Sequence, residues 1–205
     1  MNRFVAVASF FVAAQSLAAE PSAAAPVDSK AAFERLKTLA GDWQGQASHG
    51  PQQSFPATVT YRLASNGTVV METLMPGTPH EMISMYHLDG GELVMTHYCG
   101  IGNQPRMKLD TTASTPNELK FAFVGGTNLD PAKDGHIHAG ALKFDGPALL
   151  ADWTFWAGGK EMGHNVFNLK RASATTAAPA SVAAPAPAAA PAPAARPAAA
   201  PQAKH

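Results

Sequence analysis

Apolar and polar residues alternate one by one through most of the middle of this chain. In residues 58–63, Val59, Tyr61 and Leu63 fall on one side and Thr58, Thr60 and Arg62 on the other. This period of two is that of a strand with one buried face. Asn66-Gly67 follows, the dipeptide of a tight hairpin turn, and residues 68–74 form the next strand. Pro76-Gly77 ends it. Residues 82–88 and 93–99 are two further strands joined through Asp89-Gly90-Gly91. A strand begins at Arg106, Leu119, Phe121 and Phe123 alternate with polar or small neighbours, and strands are expected at 137–144, 149–156 and 165–169. Short strands with turn residues at this spacing predict an all-β antiparallel sandwich or barrel of roughly eight to ten strands. Only one segment switches to a helical period. In residues 29–39, Phe33, Leu36 and Leu39 share a face, Asp28 and Ser29 suit the N-cap, and Gly41 stands where a C-cap glycine belongs.

The pattern also assigns faces. In residues 93–99 the odd positions Leu93, Met95, His97 and Cys99 are expected inward. If Asp89 lies opposite Glu92, then Met82, Ser84, Tyr86 and Leu88 share that face; a bulged turn would instead turn Ile83, Met85 and His87 inward. With Lys143 and Asp152 outward, His136, His138, Gly140, Leu142 and Phe144 face in, as do Ala151, Trp153 and Phe155, joined by Asn165, Phe167 and Leu169. An interior rich in Met and aromatic residues with a few polar groups suits a small apolar or amphipathic ligand.

The two ends of the chain differ from its middle. Residues 1–19 read as a signal peptide: Arg3, an apolar run over 4–14, then small residues before Glu20. The run is shorter than the roughly 20 residues a spanning helix needs. Residues 20–28 are a linker, 29–171 the barrel domain and 172–205 an Ala/Pro-rich tail expected to be extended and disordered, a spacer or a point of contact with the cell envelope. The leader predicts secretion, to a bacterial periplasm. Lys+Arg and Asp+Glu are equal at 15 each, which gives no electrostatic footprint for nucleic acid. The single cysteine excludes an internal disulfide.

Several segments carry a resemblance. Gly41-Asp42-Trp43 after the short helix places a Gly-x-Trp at the barrel entry. With it stand Glu72-Thr73-Leu74, His80-Glu81-Met82, Tyr86-His87-Leu88-Asp89-Gly90, Thr96-His97-Tyr98-Cys99, Gly102-Asn103-Gln104-Pro105-Arg106-Met107, Gly125-Gly126-Thr127-Asn128 and His136-Ile137-His138. From Phe33 to Arg171 the chain resembles a family of exported bacterial lipocalin-like proteins in the calycin superfamily, beside nitrobindin and the fatty-acid-binding proteins. The resemblance implies an up-and-down calycin-like barrel whose floor the tryptophan closes. It brings no activity with it, although nitrobindin-like relatives bind haem through a histidine.

The candidate ligand contacts are Tyr86, His97, Arg106, His136, His138 and Trp153. His97, His136, His138 and Glu72 are a candidate metal set of three nitrogens and an oxygen, the alternative function being a metal- or haem-binding protein or enzyme. The plainer reading of these histidines is hydrogen bonding near a barrel mouth. Cys99 with His97 suggests a thiol nucleophile, but residues two apart on a strand are ~6–7 Å apart and no oxyanion loop accompanies them. Neither a nucleophile elbow nor a phosphate loop occurs, and the motifs weigh against an enzyme. In the loop 100–106, Asn103, Gln104 and Arg106 either grip a ligand head or lock the loop, with Asn103 in a left-handed turn. The glycine-rich loop 125–135 is a lid or a mobile connection.

Overall fold

In a computed structural model, residues 25–50 and 53–173 are described. The segment expected to be a signal peptide, and most of the expected linker and tail, lie outside them.

Helix α1 spans Ser29–Lys37. Asp28 caps it, its carboxylate accepting from the Ala31 backbone N–H at 2.8 Å. Ala32, Phe33 and Leu36 form its buried face, and each large side chain so buried contributes roughly 1.5–3 kcal/mol. The expected glycine cap is not used. Thr38 ends the helix in helical geometry, and Gly41, at φ +125°, instead opens the first strand.

Ten antiparallel strands follow: β1 Gly41–His49, β2 Ser54–Ala64, β3 Val69–Leu74, β4 Met82–Asp89, β5 Glu92–Tyr98, β6 Gln104–Leu109, β7 Glu118–Thr127, β8 His136–Asp145, β9 Ala148–Ala157 and β10 Lys160–Arg171. Each pairs with its sequence neighbours, and β10 pairs with β1, closing the barrel. Every strand therefore has both edges satisfied, which removes the unpaired edge an open sheet would expose. At Asn66-Gly67 the link is a short 3-10 turn, Ser65–Gly67, with Ser65, Asn66 and Gly67 all at positive φ. Asp89 does face Glu92, so Ser84 and Tyr86 turn inward and are buried.

Helix α1 packs against β4 and β5 and closes one end of the barrel. Trp43 completes that floor: its indole N–H donates to the Leu39 carbonyl at 2.8 Å. The Arg171 guanidinium lies 4.7 Å from the centre of the Trp43 ring and donates to the carbonyls of Thr38 and Ala40. The last residue of β10 thus latches the end of α1 and the start of β1 together. At two places the wall leaves no room for a side chain. A Cβ on Gly45 would lie 1.9 Å from the Asn168 carbonyl oxygen, and one on Gly140 2.0 Å from the Trp153 ring. The second approach seats Trp153 flat against β8.

Candidate functional site

The end of the barrel opposite α1, where odd-numbered strands finish and even-numbered strands begin, is open. A cavity of about 600 Å³ occupies it, a size typical of small-molecule sites. Its walls include Phe55, Leu74, Met82, Ile137, Trp153 and Phe167, with His49, Asn165 and His80 toward the rim. Strand alternation puts most of these side chains inward. Ile137 joins them because β8 carries a register shift between Ile137 and Ala139, which reverses the parity of the strand. Trp153 is 2% exposed, and its indole N–H has no hydrogen-bond partner among the described residues. It is a donor held in an apolar wall, where leaving it unpaired is costly. At the rim, His49 Nδ1 bonds the Asn165 side-chain oxygen.

Directly beneath the cavity lies a row of polar groups. Leu74 and Met82 pair across β3 and β4 and line the cavity. One inward step deeper, Glu72 pairs with Ser84, Tyr61 pairs with Glu72 from β2, and Ser84 pairs with His97 on β5. Four neighbouring strands thus contribute one polar side chain each at a single level, all buried. Tyr61 donates to Glu72 Oε1 at 2.6 Å and Tyr86 to Oε2 at 2.8 Å. Burial raises the Glu72 carboxyl above its usual range, while the bonds from Tyr61, Tyr86 and Ser84 pull it back down. Burial, reinforced by Glu72, raises both phenols well above theirs. Ser84 Oγ lies 3.0 Å from His97 Nδ1. With the Ser84 proton directed at Glu72, Ser84 Oγ accepts from His97 Nδ1–H, leaving the lone pair on Nε2, which has no partner among the described residues. Burial lowers the His97 pKa to about 4, so the ring is neutral near pH 7.

His136 and His138 lie elsewhere. Neither is among the residues that line the cavity, although His136 is fully buried. His136 Nδ1 lies 2.9 Å from the Asp134 carbonyl, which only accepts, so Nδ1 carries the proton. His136 Nε2 then accepts from His138 Nδ1–H at 2.9 Å. The His138 ring is stacked on Trp156 and Phe123, at 4.0 and 4.8 Å between ring centres. Burial, then the neighbouring His136, lowers the His138 pKa.

The four metal candidates are therefore divided between two hydrogen-bonded clusters, Glu72 with His97 and His136 with His138. Among the described residues, no group of three or more His, Cys, Asp or Glu side chains is placed to hold a metal ion. Of the candidate ligand contacts, Trp153 lines the cavity, whereas Tyr86 and His97 belong to the layer below it. Arg106 points to the outside of β6, 3.8 Å from Asp89. Cys99 lies in the turn after β5, where its N–H donates to the Asn103 carbonyl. That turn is locked by its own side chains. Asn103 Nδ2 donates to the Gly135 carbonyl, and Gln104 donates to Gly102 while accepting from Thr127 and Asn128. The left-handed residue there is Gly102, not Asn103. Residues 125–127 belong to β7, and the following loop is tied by Asn103 and by the bond from Gly158 to Lys133.

Several site residues had escaped the sequence reading: His49, Phe55, His80 and Ile137 at the cavity, and Tyr61 and Ser84 as members of the buried row. The row was within reach. Carrying the pairing across the Asn66-Gly67 turn sets Tyr61 opposite Glu72. The bulge that brings in Ile137 has no such signal.

No family model matches the sequence, and no curated protein matches it. Among solved structures, the chain is similar to the crystal structure of Rv2717c from M. tuberculosis, at 18% identity and a TM-score of 0.46, over 69% of this chain and 98% of that one.

Proposed function

We propose that this barrel is an exported binding protein for a small apolar or amphipathic molecule. The observation that carries the reading is an apolar-walled cavity of about 600 Å³, lined by Phe55, Leu74, Met82, Ile137, Trp153 and Phe167. Apolar walls supply affinity, and one well-placed polar group supplies orientation. The polar rim of His49, Asn165 and His80 accommodates a wetter end of the same molecule. The calycin-like sequence segments agree with this reading, and the leader composition supports export.

The test is displacement of bound anilinonaphthalene sulfonate by methyl heptyl ketone and by the matching alkene. Both compounds are expected to displace the dye saturably. Met82→Trp, which narrows the cavity, is expected to weaken both compounds about tenfold. If neither compound displaces the dye, the binding function is wrong. Displacement unchanged in Met82→Trp would put the bound molecule somewhere other than this cavity.

A further inference from the structure

One cross-strand pair builds the polar part of the cavity rim. Ala47 and Phe167 lie opposite each other in β1 and β10, and both line the apolar wall. One inward step nearer the mouth, His49 lies opposite Asn165, and both line the rim. Alternation along each strand keeps all four side chains on the inner face. His80, from the turn before β4, adds a second imidazole.

Two properties of this rim restrict what it can hold. The first is charge. Of the described residues that line the cavity, none is Asp, Glu, Lys or Arg. Charged residues of both signs stand around the outside of that end, Glu81 and Glu161 with Lys133 and Lys160, but none of them lines the cavity. A head group of fixed charge, whichever its sign, would leave water without a fixed counter-charge in the lining, and that is costly. The second is hydrogen-bond polarity. His49 Nδ1 bonds the Asn165 side-chain oxygen. That oxygen only accepts, so Nδ1 carries the proton. The lone pair of the neutral ring then lies on Nε2, and the Asn165 NH2 group keeps its hydrogens to donate. The facing residues therefore present one acceptor and one donor. A carboxylate or an ether oxygen answers only the amide. An ammonium group answers only the imidazole. A hydroxyl answers both.

We propose that the rim selects an uncharged amphiphile whose head is a hydroxyl, donating to His49 Nε2 and accepting from the Asn165 amide, with its hydrocarbon part in the cavity below. A site built to bond a hydroxyl discriminates against an analogue that lacks it, because its own polar groups are then left unanswered. The proposal rests on the binding reading above and names the head group that reading leaves open.

The test is displacement of Nile red, an uncharged dye, from the full chain by four eight-carbon compounds: 1-octanol, octanoate, octylammonium and 1-octene. At pH 8 the second and third carry their charges. 1-Octanol is expected to bind about tenfold more tightly than either charged compound. Asn165→Leu keeps the bulk of the side chain and removes its amide. It is expected to weaken 1-octanol about fivefold, as loss of one hydrogen bond should, and to leave 1-octene unchanged. His49→Phe, on the facing strand, is expected to do the same. Asn165→Asp replaces the donor with a carboxylate and is expected to place octylammonium ahead of 1-octanol. Tighter binding of octanoate or octylammonium than of 1-octanol by the native protein would overturn the proposal. So would variants at positions 49 and 165 that leave 1-octanol unchanged or weaken 1-octene equally. Those results, with 1-octene still displacing the dye, sink the hydroxyl assignment alone. Failure of all four compounds to displace the dye would sink the binding reading and this proposal with it.

Discussion

His97 and Glu72 share a buried layer and oppose each other as the solution is acidified. The folded His97 pKa is about 4, against an ordinary value of 6.5. The neutral ring is therefore favoured by folding, and its contribution is fully present above pH 6.5. As pH falls from 6.5 toward 4, the unfolded chain takes up a proton that the folded one refuses, and stability drops; linkage over that interval makes the effect about 3 kcal/mol. Glu72 works in the other direction, since its folded pKa is raised. Its neutral form is favoured by folding, so stability is lost as pH rises through the folded value and regained as pH falls. Urea unfolding followed from pH 7 to pH 4 should show a net loss in the native protein. In His97→Gln the loss should be smaller or reversed, because His97 then no longer opposes the Glu72 contribution. A pH dependence identical in the two proteins would show that His97 is not the group responsible. The sequence placed His97 and Tyr86 on inward faces because alternation is a local property of one strand. It did not reveal that their polar atoms answer Glu72 and Ser84, because that depends on strands brought together by pairing.

At the scale of elements, the joint between the end of α1, the start of β1 and the end of β10 is held by one side chain. Arg171 stacks on Trp43 and donates to Thr38 and Ala40. Arg171→Ala removes a cation–π contact and two bonds to carbonyls while leaving the strand ladder in place, and should cost about 1–3 kcal/mol. Chemical denaturation with an unchanged slope should register the loss as a lower midpoint; an unchanged midpoint would show that the floor holds without the arginine. The short helix, the hairpin spanning β4 and β5, and the Gly-x-Trp entry were legible because each rests on nearby residues. Ile137 was missed for a physical reason. One extra residue in β8 brings it to the cavity, and nothing in His136-Ile137-His138 marks where that residue falls. The loop 100–106 illustrates the opposite case, since Gln104 serves the turn itself as the plainer reading had it, although the left-handed position falls to Gly102 and Asn103 instead bonds the Gly135 carbonyl.

For the whole molecule, the ring of ten strands is closed by its own ends, and β10 finishes at Arg171. Removing residues 174–205 should therefore leave the thermal midpoint of the barrel within a degree or two, as scanning calorimetry would measure; a large fall would mean that the tail contributes to the fold. The all-β antiparallel class was readable from strand count and turn spacing, which left sandwich and barrel open, and an apolar interior followed from the alternation; which residues line the cavity was not readable, because that depends on how ten inward faces meet. The closure also carries a kinetic consequence. Residues 43–49 find their partners only at 165–171, so the final seam joins segments more than a hundred positions apart. Contacts of such long range are slow to form, on the scale of milliseconds to seconds. A nascent chain cannot finish the ring before its last strand has been synthesised, and until then both β1 and the growing terminus offer unpaired backbone to whatever helper or translocation machinery meets them first.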